Sequence, residues 1–150
     1  MDLILWRHAD AEDGVPDASR KLTAKGEKQA QLMGEWLKQN LPDKFRLLAS
    51  PTKRTQQTAQ ALLKTFETVK SIAPGADATA VLAAAGWADV KGTVVVVGHQ
   101  PTLGRVAALL LSGAESDWNM KKGSIWWFSN RTRQGETQTV LRVMLTPEFL

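Results

Sequence analysis

Short apolar runs alternate with amphipathic segments along this chain. Leu3–Trp6 is wholly apolar, and Thr93–Val97 contains four consecutive valines. Both runs are typical of strands that are buried on both faces of a parallel sheet. Phe45–Ala49 predicts another strand, and Val69–Ala73 predicts a short one that ends before Pro74.

Between these strands, apolar residues recur at helical spacing, which predicts helices. Thr23 suits the N-cap of a helix that ends before Pro42, because a hydroxyl oxygen there accepts a free backbone N–H. Three further helices are expected, over Thr52–Glu67, Asp77–Ala85 and Thr102–Leu111. The last two close at or near glycines, Gly86 and Gly113.

The pattern changes near the C-terminus. Ser124–Ser129 and Thr137–Leu145 predict two strands, and the polar stretch between them predicts a hairpin loop too long for a two-residue turn. In the strand Ser124–Ser129, successive side chains point to opposite faces, so one of Trp126 and Trp127 is expected in the core and the other partly exposed. The alternative is an aromatic platform for a partner or a nucleic acid.

Alternating strands and helices predict an α/β fold. We expect a three-layer α/β/α arrangement with a mostly parallel central sheet and an antiparallel C-terminal hairpin. A chain of 150 residues is long enough to bury a sizeable core, and we expect residues 1–150 to form one domain.

Composition narrows the chemistry. The chain has no cysteine, which excludes disulfide scaffolds, thiol nucleophiles and iron–sulfur clusters. Its two histidines are too few for a His-rich metal site. The sequence therefore predicts no metal and no other cofactor.

Charge and hydropathy narrow the possible partners. The net charge of +4 and the six tryptophans raise the possibility of nucleic-acid binding, but the basic residues form no cluster, so no nucleic-acid partner is expected. The longest apolar runs have six residues, far short of a membrane span, so no membrane partner is expected either. The first residues lack a signal-peptide pattern, and a cytoplasmic location is expected.

Candidate catalytic side chains follow three of the predicted strands. Arg7 and His8 follow the first, Arg54 lies shortly after the second, and His99 follows the valine strand. In open α/β sheets, ligands bind beyond the carboxyl ends of the strands. Alone, each residue suits a helix cap or a solvated charge; together they suit a phosphoryl group, which guanidinium binds and a neutral imidazole can attack.

Three motifs carry a family resemblance. Leu3–Ala9, Ser50–Ala59 and Val97–Pro101, taken in that order, resemble the histidine phosphatase superfamily, which is related to phosphoglycerate mutase. The spacing of Asp17, Arg20, Leu22, Thr23 and Gly26 is similar to that of the SixA-type phosphohistidine phosphatase branch. The resemblance covers residues 1 to about 113.

The resemblance implies a role for each candidate residue. His8 is expected to be the nucleophile that is transiently phosphorylated, Arg7 and Arg54 to bind phosphoryl oxygens, and His99 to donate a further hydrogen bond. Arg20 matches a basic position of the SixA-like pattern and is expected to contact the substrate. The alternative for Arg20 is a surface salt bridge with an acid of its own loop.

The chain departs from the superfamily at two points. Ala9 stands where most members have glycine, and no inserted segment carries a Glu or Asp general acid. Asp10, Glu12, Asp13 and Asp17 lie in the loop after the first strand and either serve as that acid or are solvated. An alkoxide leaving group needs a proton, whereas the imidazole of phosphohistidine departs more readily. A missing acid therefore favours phosphohistidine.

Three hypotheses follow for function. The leading one is a phosphatase that hydrolyses phosphohistidine on a partner protein through phospho-His8, with phosphate or sulfate able to occupy the site. The first alternative is a phosphatase for small phosphate esters or nucleotides. The second is a phosphoprotein-binding module without catalytic activity.

Overall fold

A computed structural model describes residues 1–150 and places a six-stranded sheet between two pairs of helices. The strands are β1 (Asp2–Arg7), β2 (Arg46–Ala49), β3 (Glu67–Thr68), β4 (Thr93–Gly98), β5 (Ile125–Arg133) and β6 (Glu136–Leu145). The helices are α1 (Ala24–Asn40), α2 (Lys53–Gln60), α3 (Ala78–Ala85) and α4 (Thr102–Ser112). Short 3₁₀ helices lie at Asp17–Ser19, Lys70–Ile72 and Pro147–Phe149.

The sheet has the strand order β3-β2-β4-β1-β5-β6. β1 to β4 run parallel to one another, whereas β5 pairs antiparallel with β1, and β6 antiparallel with β5. The predicted α/β class, with a mostly parallel sheet and an antiparallel C-terminal hairpin, is confirmed. β1 and β4 are adjacent and in register, with Arg7 opposite Gly98, so the residues that follow both strands emerge side by side.

Each face of the sheet packs against one pair of helices. Leu3 and Leu5 of β1 join the core beneath α3 and α4, whereas Ile4 and Trp6 join the core beneath α1 and α2. All four side chains are fully buried, and burying each one stabilises the fold by about 1.5–3 kcal/mol. The double-sided burial holds the end of β1 in place and gives the three layers that the sequence predicts.

Three helix boundaries agree with the sequence. Thr23 Oγ1 accepts the Gly26 N–H at 3.0 Å and caps α1. α3 and α4 end at Gly86 and Gly113, whose φ angles are +75° and +82°, a region that glycine enters without steric cost. None of the helices combines the length and the apolar character that crossing a bilayer requires.

The expected long second helix is wrong, because α2 ends at Gln60 instead of continuing to Glu67. Its last turn tightens, with the Leu62 N–H donating to the carbonyl of Ala59 at 2.9 Å. Glu67 instead pairs with Leu48 of β2 in the sheet, and its carboxylate receives two hydrogen bonds, at 2.9 and 3.0 Å, from the Arg46 guanidinium on β2.

The expected strand over Val69–Ala73 is also wrong. The edge strand is Glu67–Thr68, and Lys70–Ile72 forms a 3₁₀ turn. The turn places Ile72, which is only 2% exposed, in the core beside α3. Lys70 and Ser71 are exposed, so the burial in this segment is that of Ile72, which a turn buries as well as a strand would.

The hairpin turn is shorter than expected. β5 and β6 continue to Arg133 and Glu136, which leaves a two-residue turn of Gln134 and Gly135 with φ of 53° and 80°. Positive φ at both positions is typical of a tight type I′ turn. The expected long loop is wrong because the outer halves of both strands are solvent-exposed and therefore polar.

The tryptophan alternation in β5 is confirmed. Trp127 is 4% exposed and packs in the core beneath α1 and α2. Trp126 lies on the other face and is half-buried against Phe128.

Candidate active site

The two histidines meet at the carboxyl edge of the sheet. His8 directly follows β1 and His99 directly follows β4, and their ring centroids lie 5.4 Å apart. Neighbouring strands are about 4.8 Å apart, so the spacing of the rings follows from strand pairing. Both residues are buried, with exposed fractions of 7% and 4%.

Arg54 reaches the same edge from the first turn of α2. β2 lies on the other side of β4 from β1, and the chain turns from Ser50 into the helix. Thr55 Oγ1 donates to the Ser50 carbonyl at 2.7 Å and holds this turn. Arg54 is 4% exposed, and its Nη2 lies 3.4 Å from His99 Nδ1.

Arg7 completes the cationic side of the site. Its Nη1 donates to the carbonyl of Met120 at 2.7 Å, and burial lowers the pKa of its guanidinium. Arg7 Nε and Arg54 Nε are buried without a hydrogen-bond partner. Burying a donor or a charge in this way is unfavourable, and an anion in the site would offset part of that cost.

These side chains surround an open polar cavity of about 210 Å³. Pockets for drug-sized ligands commonly have volumes of about 300–1,000 Å³; this cavity is smaller and has room for a phosphoryl group. Its lining residues are Arg7, His8, Ala11, Asp13, Arg20, Arg54, Pro74, His99, Gln100 and Lys122. The structure therefore brings together all five site residues that the sequence predicts.

His8 presents an unprotonated nitrogen at neutral pH. Its Nδ1 lies 2.8 Å from the carbonyl of Ala9, and because a carbonyl only accepts, Nδ1 carries the proton. Burial lowers the pKa of His8 to about 4, and the charges of Arg54 and Arg7 add to this effect. The ring is therefore neutral, and the lone pair is on Nε2.

His99 is also neutral. Burial lowers its pKa to about 3, with further contributions from His8 and Arg54. Its Nε2 lies 2.7 Å from the hydroxyl oxygen of the fully buried Ser50.

Arg20 lies at the cavity and forms the salt bridge that was expected as its alternative role. It lines the cavity, and its Nε also donates to Asp17 Oδ1 at 2.9 Å. Asp17 in turn accepts from Arg54 Nη2 at 3.1 Å. Hydrogen bonds from Arg20 and Arg54 lower the pKa of Asp17, which keeps this carboxylate ionised.

The other loop acids differ in their surroundings. Asp10 accepts hydrogen bonds from Lys122 and Thr23, which lower its pKa. Among the four acids of this loop, Asp13 is the one that lines the cavity.

Ala9 fits its position. Its side chain is fully buried in a small apolar cluster with Leu22 and Ala30, and its N–H donates to Thr58 Oγ1 at 3.1 Å. A glycine at this position would leave that cluster without a methyl group, so alanine is compatible with the loop.

Lys122 is the charged residue of the cavity that sequence reasoning missed. It lies in the loop before β5, and because β5 runs antiparallel to β1, its first residues lie at the carboxyl edge of β1. Trp6 Nε1 donates to the carbonyl of Gly123 at 3.2 Å and anchors this loop. The pair Lys121-Lys122 directly before a predicted strand was the available signal.

Two guanidinium groups and two neutral imidazoles around a small cavity suit a tetrahedral oxyanion. Together with the carboxyl-edge position in an α/β sheet, this arrangement is that of a phosphoryl-handling protein.

Comparisons with known proteins identify the class more closely. The family model of the histidine phosphatase superfamily (branch 1) matches residues 3–77. The phosphohistidine phosphatase SixA of Escherichia coli K12 is 31% identical over 122 residues, which cover 75% of this chain and 76% of that protein. The SixA homologue of Haemophilus influenzae is 33% identical over 126 residues, which cover 73% and 77%.

A solved structure agrees with these relatives over the whole chain. The protein histidine phosphatase SixA complexed with tungstate has a TM-score of 0.82 and 26% identity to this chain, and the match covers 99% of both. The chain belongs to the histidine phosphatase superfamily, and the protein is a phosphatase.

Proposed function

We propose that this protein hydrolyses phosphohistidine on a partner protein and that His8 carries the phosphoryl group between the two half-reactions. The observation that carries the proposal is the hydrogen bond from His8 Nδ1 to the Ala9 carbonyl. It directs a neutral Nε2 lone pair away from the backbone, beside two guanidinium groups.

The first half-reaction transfers the phosphoryl group to the enzyme. His8 Nε2 forms a bond to phosphorus while the bond from phosphorus to the substrate imidazole breaks. The electron pair of the broken bond stays on the departing nitrogen, and the substrate ring leaves neutral because its other nitrogen carries a proton. Arg7 and Arg54 stabilise charge on the equatorial oxygens, which is where most catalysis of phosphoryl transfer arises.

The second half-reaction releases phosphate. Water attacks phosphorus, the bond to His8 Nε2 breaks, and the lone pair returns to Nε2 while inorganic phosphate forms. A covalent intermediate of this kind divides one difficult displacement into two easier ones.

Two features favour phosphohistidine as the substrate. Asp10 and Asp17 are held ionised by their cationic partners, so neither is available as a proton donor for an alkoxide. The cavity is small, about 210 Å³, and open, which suits a phosphoryl group on a side chain presented by another protein. The names of the SixA relatives point in the same direction.

A phosphatase for small phosphate esters is the second candidate. Asp13 lines the cavity, and a carboxylic acid there would supply the proton that an alkoxide needs. A binding module without activity has less support, because both arginines and both histidines surround the same cavity.

Initial rates on two substrates decide between the candidates. A phosphohistidine-bearing phosphotransfer protein and p-nitrophenyl phosphate are compared at matched concentrations, with the His8→Ala variant as the blank for each. We expect kcat/KM to be higher for the phosphoprotein. A preference for the ester that is lost in Asp13→Asn would favour the second candidate instead.

A further inference from the structure

His99 lies between a group that only donates hydrogen bonds and a group that can donate or accept. Its Nδ1 lies 3.4 Å from Arg54 Nη2, and its Nε2 lies 2.7 Å from Ser50 Oγ. A guanidinium only donates, whereas a hydroxyl does either. A neutral imidazole carries one proton, so these two contacts decide which nitrogen holds it.

In the free enzyme, Arg54 favours the proton on Nε2. Nδ1 then accepts from Arg54, and Nε2–H donates to the Ser50 oxygen. Ser50 is fully buried, and its hydroxyl contacts no hydrogen-bonding group other than the His99 ring. This arrangement therefore leaves the Ser50 O–H without an acceptor, which is unfavourable in a buried site.

A phosphoryl oxygen in the cavity reverses the preference. An ionised oxygen only accepts, so it draws the Arg54 N–H toward itself and requires a protonated nitrogen from His99. Nδ1 is the ring nitrogen on the Arg54 side. When Nδ1 holds the proton, Nε2 accepts from the Ser50 O–H, and every polar group of the trio has a partner.

We propose that Ser50 is a positioning residue that supports both tautomers of His99, accepting a hydrogen bond from Nε2 in the free enzyme and donating one to it when a phosphoryl group is bound. Nδ1 gains a proton, Nε2 releases one to solvent, and the ring is neutral before and after. The Ser50 hydroxyl rotates and keeps its own proton. The inference rests on the proposed function, since it takes the cavity to be a phosphoryl site.

The backbone of Ser50 is fixed firmly enough for this role. Its N–H donates to the Val97 carbonyl at 3.1 Å, and its carbonyl accepts from Thr55 Oγ1 at 2.7 Å and Gln56 Nε2 at 2.9 Å. The hydroxyl can rotate, but the residue cannot move away from His99. Burial lowers the pKa of His99 to about 3. The ring is therefore neutral at neutral pH, and only one of its two nitrogens carries a proton.

Nitrogen NMR on histidine-labelled protein tests the inference, because the chain has only two imidazole rings. Protonated and unprotonated ring nitrogens have well-separated chemical shifts, and the His8→Gln variant assigns the rings. With saturating inorganic phosphate, we expect His99 to change from Nε2-protonated to Nδ1-protonated while His8 keeps its proton on Nδ1. An unchanged His99 tautomer, or an imidazolium, overturns the inference while leaving phosphate binding and the proposed function in place. If the spectrum of neither ring changes with phosphate, both this inference and the proposed phosphoryl site are contradicted.

Substitutions at Ser50 give a second, independent readout. Ser50→Ala is expected to raise the inhibition constant for inorganic phosphate about five- to tenfold, the effect of losing about one hydrogen bond. Ser50→Thr keeps a hydroxyl and is expected to restore both binding and the tautomer change. Ser129→Ala, which removes a buried serine hydroxyl that binds Asp2, is the control and should leave the constant unchanged.

Tight phosphate binding by Ser50→Ala, with His99 still protonated on Nδ1 in the complex, would overturn the positioning role. If Ser50→Thr fails to fold, the wild-type spectra with and without phosphate decide the question alone.

Discussion

Asp17 binds both terminal nitrogens of Arg54. Its backbone carbonyl accepts from Nη1 at 2.9 Å and its carboxylate from Nη2 at 3.1 Å. The loop after β1 thus orients a buried arginine of α2, while the carboxylate, whose side chain is 58% exposed, offsets part of its positive charge. Asp17 has two opposing effects on the proposed site, since it positions Arg54 and also competes with a bound anion.

Asp17→Asn separates these two effects. Asparagine keeps an oxygen that accepts from Arg54 but has no negative charge. Inorganic phosphate should therefore bind about two- to fivefold more tightly, a modest gain because the removed carboxylate is solvent-exposed and its charge is screened. The inhibition constant for phosphate measures the change. Asp43→Asn removes an exposed acid that precedes β2, at the opposite edge of the sheet, and should have no effect. Weaker inhibition in Asp17→Asn would mean that positioning outweighs charge.

Arg54→Lys tests whether geometry matters beyond charge. Lysine keeps one positive charge but loses the planar fork that binds phosphate oxygens. Losing a donor aimed at developing charge lowers kcat by about 10²–10³, and we expect a decrease of that size. Arg105→Lys, in an exposed ion pair with Asp117 and outside the cavity lining, is the matched control. Near wild-type turnover by Arg54→Lys would exclude a direct role for its guanidinium.

The low pKa values of the two histidines predict how stability depends on pH. His8 and His99 have pKa values of about 4 and about 3 in the folded protein, below the unfolded value of about 6.5. Between these limits the unfolded chain binds more protons, so the free energy of unfolding should decrease as pH falls from 6.5 toward 4. Each histidine contributes a slope of about 1.4 kcal/mol per pH unit.

Urea denaturation across this range checks the slope. The double variant His8→Gln/His99→Gln should lose most of it, because hydrogen bonds to Asp10 and Asp17 hold the pKa values of these carboxylates below their usual range. If wild type and double variant show the same slope, the histidines are not buried in their neutral forms.

Gly26→Ala tests the packing that positions the loop after β1. A Cβ at Gly26 would lie 1.9 Å from the Asp10 carbonyl oxygen, so the loop or the first turn of α1 must shift. We expect a loss of about 1–3 kcal/mol in the free energy of unfolding, as for other overpacked sites, together with reduced activity. Lys28→Ala on the exposed face of α1 should change stability by less than about 0.5 kcal/mol. Unaltered stability in Gly26→Ala would mean that the loop yields freely.

Much of the proposed site can be predicted from the sequence because its residues directly follow buried strands. A run such as Leu3–Trp6 must be a central strand, and parallel central strands bring His8 and His99 to one edge. For these two histidines, the only long-range contact that has to be known is the pairing of β1 with β4.

The remaining contacts depend on pairings that local patterns do not encode. Lys122 reaches the cavity only because β5 pairs antiparallel with β1, more than a hundred residues earlier in the chain. The contact between Ser50 and His99 requires β2 to lie beside β4. The edge strand after α2 forms because Glu67 and Thr68 pair with β2, about twenty residues earlier in the chain.

Trapping the phosphorylated enzyme tests the central claim most directly. The protein is mixed with a phosphohistidine-bearing substrate, quenched within milliseconds in base, and digested for mass spectrometry. We predict a single phosphorylated residue, His8, with a label that is stable in base and lost in acid, and no label or turnover in His8→Ala. A label on any other residue, or undiminished hydrolysis by His8→Ala, would contradict a phospho-His8 intermediate.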